Sequence, residues 1–518
     1  MGLNNAFEHM SRINSFWSAS LLFFAVVDRV PSSCQSTWNF THQEFGQNTV
    51  ARDAVELDNG DWLIALGTNI VHSDSHKSSW LFRLDNSGGL LDSRQFQYGD
   101  ASIAITALVP SDTSDIIHAI SFSSDFLPTG GIGYMHYQVG QDLDFIDSAR
   151  FIFNSIDNSR LENAVLDQDG NIFLASGVTI ASPYPNGMLL FKFSQEGNQL
   201  LSNLFPTAGG YVYPQLASPV GSNMLVAVEG GSVGPSGFGK FLQFNDSLQY
   251  VSGFTTFSLS GTGLHYPQDS VMRLEMAFLS LPNGELIASG TWGYWFPEGY
   301  RAIVAKMKAD GTPLQYFWPR SDYYADHAAS LNGMQKIDEG TLVFAMMENF
   351  QTGEEGDEPS RVHVYRMDTS LNVLCAYVVD GFIDSTYYFL ERVKPTSDGG
   401  TLLIGSRIDL TVPGSPPIAW VQKLAPGDCY TGTAEQQQPN AMVYPNPGSD
   451  TFTLLLNGAA VDQGRLLLSD AQGRQCAVAD LIRNTSVVST SGLQPGIYFY
   501  RVLDATGAQL AMGKWVKQ

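Results

Sequence analysis

The sequence predicts an all-β chain: a seven-bladed β-propeller followed by a small C-terminal β-sandwich. Three observations carry that reading. Only 15% of the 518 residues are charged, while 50 glycines, 24 prolines, 31 phenylalanines, 21 tyrosines and 9 tryptophans supply turns and strand formers, a composition of short strands and tight turns rather than salt-bridged helices. A double-hairpin pattern recurs along most of the chain. That pattern ends one strand short, and a spare strand stands near the start.

The first segment reads as a leader. Arg12 precedes an uncharged apolar run over 16–27, and Pro31, Ser32, Ser33 and Cys34 follow it. The run suits a secretory core region and is too short to span a bilayer. Residues 1–34 are therefore expected to be a signal peptide, cleaved to leave Gln35 first, with Met10 as an alternative start. No later stretch is apolar enough to cross a membrane as a helix, so no transmembrane segment is expected in the mature chain.

Residues 35–430 carry the repeat. Its first turn appears as LDNGD (57–61), LDQDG (166–170), VGSN (220–223), LPNGE (281–285), IDEG (337–340) and TSDGG (396–400), each leading into an apolar strand, with a glycine-free copy at PSDTSD (110–115). A second hairpin follows each time, as in SWLFRLDNSGGLLDSRQF (79–96). The turn glycines Gly60, Gly170, Gly221, Gly284, Gly340 and Gly400 span six periods of about 57 residues. Alternating apolar residues and Asp-Gly-type turns make each unit a four-stranded antiparallel sheet. One such sheet cannot bury both faces, and seven stacked radially can. The pattern resembles the seven-bladed propellers of exported bacterial proteins, without the signature of WD40 blades.

Ring closure follows from the spare strand. Residues 37–45 are expected to pair with 418–424, so that the two ends of the repeat share one blade and no edge is left free. Of the four cysteines, Cys375 and Cys429 are expected to come closest, as a candidate disulfide, with two separately buried thiols as the alternative. No cysteine or histidine cluster has metal-ligand spacing, so no metal site is assigned.

A net charge of −23 excludes nucleic acid as a partner and disfavours anionic lipid. In a four-stranded blade the first and third turns emerge on one face, and the second connection and the interblade crossing on the other. The long variable segments fall on the second face, where function is expected. There GTWGYWFPEGYR (290–301) offers Trp292, Tyr294 and Trp295, and YFWPRSDYYADH (316–327) offers Trp318, Arg320, Asp322, Tyr323, Tyr324, Asp326 and His327; STYYF (385–389) adds tyrosines. Flat aromatic faces beside carboxylates and arginine suit sugar rings or an extended peptide. The alternative is that these aromatics pack blade on blade.

Glu354, Glu355, Asp357 and Glu358 in the loop 349–361 are enough oxygens for calcium, but without regular spacing a solvated acidic loop is the better reading. His72, Asp74 and His76 lack a further ligand and read as an exposed loop. No cofactor is expected. Sialidase-type Asp boxes are incomplete, and no nucleophile elbow, zinc helix or phosphate loop occurs, so no catalytic residue is assigned.

A polar linker, 431–440, separates a final module, 441–518, with apolar strands at 451–456, 465–475 and 496–510. Four motifs occur in order: Tyr444-Pro445-Asn446-Pro447, a turn with Gly473 and Arg474, a segment with Gly496 and Tyr498, and a terminal Gly513-Lys514. Together they resemble the type A C-terminal sorting domain of type IX secretion cargo from Bacteroidota. The resemblance implies export, recognition of this domain by the secretion machinery, and removal of it with attachment of the cargo to surface lipopolysaccharide. The expected whole is a secreted, surface-attached, non-catalytic binding or adhesion protein whose ligand is a carbohydrate or peptide. A carbohydrate-active hydrolase or lyase using the same face, and a purely structural surface protein, are the alternatives.

Overall fold

The structure, a computed structural model, describes residues 37–42, 48–68, 78–96, 104–111, 115–123, 132–153, 156–180, 187–206, 211–220, 222–231, 238–255, 273–293, 300–319, 326–350, 358–428, 441–444, 446–456, 463–470, 474–482, 485–504 and 509–518. It divides into two units, 1–431 and 432–518. Among the described residues the first unit holds seven antiparallel sheets. Blade 1 is Thr49–Glu56, Trp62–Thr68, Ser79–Leu84 and Leu90–Phe96, strands a to d from the inside outward. Blades 2 to 5 repeat that order over 104–153, 156–206, 211–255 and 273–317, and blade 6, over 326–380, does so with its inner strand split into Asp326–Ala328 and Met334–Lys336. The a strands lie side by side around the ring, which blade 7 closes.

Blade 7 combines Thr386–Pro395, Thr401–Asp409 and Ile418–Leu424 with Trp38–His42 from the other end of the unit. Trp38 stands opposite Lys423 and His42 opposite Ala419. Trp38 and Phe40 join the core that blades 7 and 1 share. Further bonds fasten the seam: Thr49 N–H donates to Pro417 O at 2.9 Å, and Ala419 N–H donates to Thr49 Oγ1 at 2.9 Å. Arg392 of blade 7 donates to Arg52 O (2.8 Å) in blade 1 and Thr106 O (3.2 Å) in blade 2.

The hairpins explain the glycine pattern. In blade 7 the left-handed turn residue is Gly399 (φ 81°), not Gly400. A side chain at Gly400 would stand 2.4 Å from Leu424 O, so close backbone approach, not turn conformation, explains that second glycine. Between strands c and d the left-handed residue is Gly88, Gly197 and Gly311 in blades 1, 3 and 5, but Leu143, Leu248 and Leu371 in blades 2, 4 and 6. Strand pairing breaks within the a strands, between Ala51 and Asp53 in blade 1 and Ile105 and Ala107 in blade 2, so the inner strands bend in mid-course. Cys375 is buried in strand d of blade 6, while Cys429 lies outside the described residues.

Among the described residues the second unit forms one seven-stranded antiparallel sheet whose first and last strands are Ala441–Tyr444 and Gln509–Lys517. Gly448 N–H donates to Val516 O and Gln518 N–H to Gly448 O, both at 2.9 Å, which curls the sheet around a core of Phe452, Leu466, Tyr498, Val502 and Trp515. The apolar segment at 465–475 covers most of one strand, Gln463–Ser469, and the first residue of the next, Gln475–Ile482.

Candidate functional site at the long-connection face of blade 6

Strand a of blade 6 begins at Asp326, directly after the crossing from blade 5. Asp326 stands opposite Glu348, Glu348 opposite Arg361, and Arg361 opposite Asp380. A charged row therefore crosses the whole blade at the end from which the long connections leave. Cross-strand partners share a sheet face, so these side chains meet. Arg361 Nε donates to Asp380 Oδ1 at 3.0 Å, and its Nη1 reaches Glu348 Oε2 at 3.5 Å. His363 Nε2 lies 2.6 Å from the same Glu348 oxygen. From blade 5, Arg301 Nη1 donates to Asp326 Oδ2 at 3.2 Å.

Burial decides how strongly these charges act. Asp326 and Glu348 are almost wholly buried, at 1% and 2% exposure. Burial works against the charge on Arg361, but the hydrogen bond and charge of Asp380, with Glu348, raise its pKa above the ordinary arginine value. Burial, reinforced by Glu348 and Asp326, pushes the Tyr365 hydroxyl well above the usual phenol range. Apolar rings frame the row: Arg361 lies 4.5 Å from the centroid of Phe382, and His327 stacks on Phe350 at 4.0 Å. Asn349 donates to Pro359 O at 2.8 Å, closing the base of the acidic loop.

Of the sequence-predicted residues only some fall within the described residues. Trp318 is half-buried against the core between blades 5 and 6. Trp292 is the last residue but one of strand b of blade 5, its backbone opposite Arg301, with its side chain outside the description. Tyr294, Trp295, Arg320, Asp322, Tyr323 and Tyr324 lie outside the described residues, as do His72, Asp74, His76, Glu354, Glu355 and Asp357. Tyr387 and Tyr388 are buried in strand a of blade 7, Tyr388 against Trp420, so for STYYF the packing alternative holds. Glu348, Arg361, His363 and Asp380 escaped sequence reasoning, because strand ends 13 to 32 residues apart carry no spacing signal. Asp326 was the one legible member.

On the opposite face Asp167, Asp169 and Asp246 converge between blades 3 and 4. Lys192 already supplies a cation there: its ammonium lies 2.7 Å from Asp167 and 3.9 Å from Asp169 and also contacts Asp246.

In the second unit the four motifs have visible structural work. Asn446 bridges to the last strand, donating to Lys514 O and accepting from Val516 N–H, both at 3.0 Å. Arg474 N–H and Nε both donate to Asp470, at 2.9 and 2.7 Å, while Pro445 and Gly473 lie outside the described residues. Tyr498 is buried with its hydroxyl donating to Gln494 O at 2.7 Å. A side chain at Gly513 would stand 2.3 Å from the Tyr500 hydroxyl. Gly496 pairs with Lys517, and Tyr444 and Lys514 are exposed.

Residues 442–518 match the secretion system C-terminal sorting domain. This sorting domain marks the chain as type IX secretion cargo, a secreted, cell-surface protein that engages that machinery. No curated protein matches the chain. Similar solved structures include prolyl oligopeptidase B from Galerina marginata (11% identity, TM-score 0.36, 70% of this chain and 47% of that one), so the chain spans about half of that enzyme. Others are the GH93 alpha-L-arabinofuranosidase of Fusarium graminearum (9%, TM-score 0.42, 76% and 98%) and a PL25 ulvan lyase (8%, TM-score 0.46, 75% and 96%). The architecture stands on the sheet order and register described above.

Proposed function

We propose that this secreted protein is a non-catalytic binding or adhesion module, held at the surface through lipopolysaccharide, which takes a carbohydrate or peptide on the long-connection face around blades 5 and 6. The observation that carries the reading is the matched row at the end of blade 6. Each carboxylate in it faces an arginine: Asp326 faces Arg301, Glu348 faces Arg361, with His363 hydrogen-bonded to it, and Asp380 faces Arg361. An arginine bound to two carboxylates holds the row in one geometry, as a fixed recognition surface requires. Such a row makes a stiff polar wall, and the two segments that precede it in the chain, 290–301 and 316–327, carry Trp292, Tyr294, Trp295, Trp318, Arg320, Asp322, Tyr323 and Tyr324.

The second reading, a carbohydrate-active hydrolase or lyase, draws on one feature: Asp326 and Glu348 are two carboxylates in direct register. Glycan and peptide arrays probed with the secreted protein and with Trp295→Ala and Tyr323→Ala separate the readings. Capture by the parent, weakened roughly tenfold or more in either variant, is the expected outcome, since a central aromatic anchor carries about 2 kcal/mol or more. Capture that both variants retain in full contradicts the assignment of the face.

A further inference from the structure

We propose that the seam between blades 2 and 3 is an acid-opened joint, closed while two buried histidines share a single hydrogen-bonded proton and opened when the pair takes another. His118 lies in Ile116–Ser123 and His136 in Ile132–Gly140, the middle strands of blade 2. Their rings stack with centroids 5.0 Å apart, and Nδ1 of His118 lies 2.8 Å from Nε2 of His136. Both are buried, His118 completely. The turn Ser194–Gly197 of blade 3 rests on His136. Gly197 has φ 82°, and a Cβ there would stand 2.6 Å from His136 Nδ1, so the backbone itself seats on the ring. Gln138 Nε2 donates to Gln195 O at 3.0 Å and ties down the same turn.

Proton counting shows why the joint is closed only when neutral. A neutral imidazole carries one N–H. Among the described residues, His118 Nε2 is buried with no hydrogen-bond partner. The arrangement of lowest cost puts the His118 proton on Nδ1, donating to His136 Nε2, and leaves Nε2 as a bare lone pair. A further proton must then sit on buried Nε2 with nothing to accept it, or turn two N–H groups toward each other. Of the charged groups facing the pair, Glu196 acts on His118 and Asp147 on His136, and both attract a proton. Both carboxylates are exposed at the surface, and burial outweighs them, taking each histidine down to about 4. A metal ion does not fit between the rings, because two nitrogens on a common zinc ion stand roughly 3.3 Å apart.

The sign follows. The folded value of about 4 lies below the unfolded 6.5. The seam's closing equilibrium is therefore at full strength above about pH 6.5 and weakens as pH falls toward 4, by up to roughly tenfold per pH unit for each imidazole.

Hydrogen exchange on the whole secreted chain, corrected for intrinsic rates, tests this at pH 7.5 and pH 5. Peptides covering 116–140 and 187–200 are expected to lose protection by roughly tenfold or more at pH 5, while blades 5 to 7 hold theirs. In His136→Gln, which keeps a neutral polar partner, that difference is expected to vanish. Should the variant not fold, NMR titration of the parent's imidazoles decides: two that stay neutral down to pH 5 support the joint. Equal seam protection at the two pH values, or titration of both buried imidazoles near 6.5, overturns it.

Discussion

Leu248 sits at φ 58° with 1% of its surface exposed, and Leu143 and Leu371 repeat that combination. The left-handed region costs a leucine roughly 1–2 kcal/mol, while burying its side chain returns about 1.5–3 kcal/mol. The leucine therefore wins where the space between blades is empty. Where a neighbour fills that space, glycine is required: a side chain at Gly88 would stand 2.7 Å from the Trp38 ring. The leucine turns also receive a donor from the preceding blade, Arg94 to Leu143 O at 2.8 Å and Asn203 to Leu248 O at 2.7 Å. Leu248→Gly is expected to lose roughly 1–3 kcal/mol in urea unfolding; a gain would show that backbone strain dominates there. The glycine turns were legible in the sequence because their residue type states the backbone requirement. The leucine turns were not, because nothing local says that a β-turn leucine plugs a gap in another sheet.

At the scale of elements, closure was legible and its fastening was not. An apolar strand without a partner at one end and a blade lacking a strand at the other point to each other. The strap formed by Arg392, Lys394 and Asp53 does not follow from pattern, since it joins residues about 340 apart. Lys394 Nζ donates to Ala54 O at 2.6 Å and pairs with Asp53 Oδ1 at 2.5 Å, and Asp53 Oδ2 accepts from Leu108 N–H at 2.8 Å. Burial opposes the charge on Asp53, yet Lys394 and Arg392 pull its pKa below the usual carboxylate value. Removing residues 35–46 takes away the Trp38–His42 pairing and two aromatic side chains of the shared core. A fall in Tm of at least about 5 °C is expected for that deletion. A melting curve that does not move contradicts closure by this strand.

At the scale of the molecule, the charge is partitioned by destination. Residues 442–518 hold six basic and five acidic side chains, a net +1, so the rest of the chain carries −24 of the total −23. The sorting domain was readable because its motifs lie at turns and last-strand contacts, where single residues such as Asn446 and Gly513 have fixed structural duties. The candidate site was only half readable. Its loops advertise aromatics in the sequence, but the charged row is assembled from strand ends that only the register brings together. The central claim is that this face holds a ligand without converting it. The most direct measurement incubates the secreted protein with an array-positive glycan or peptide and follows both retained ligand and released product by mass spectrometry over hours. The account predicts stoichiometric retention and recovery of intact ligand. Accumulation of cleaved product beyond one equivalent, abolished by Glu348→Gln, would contradict it.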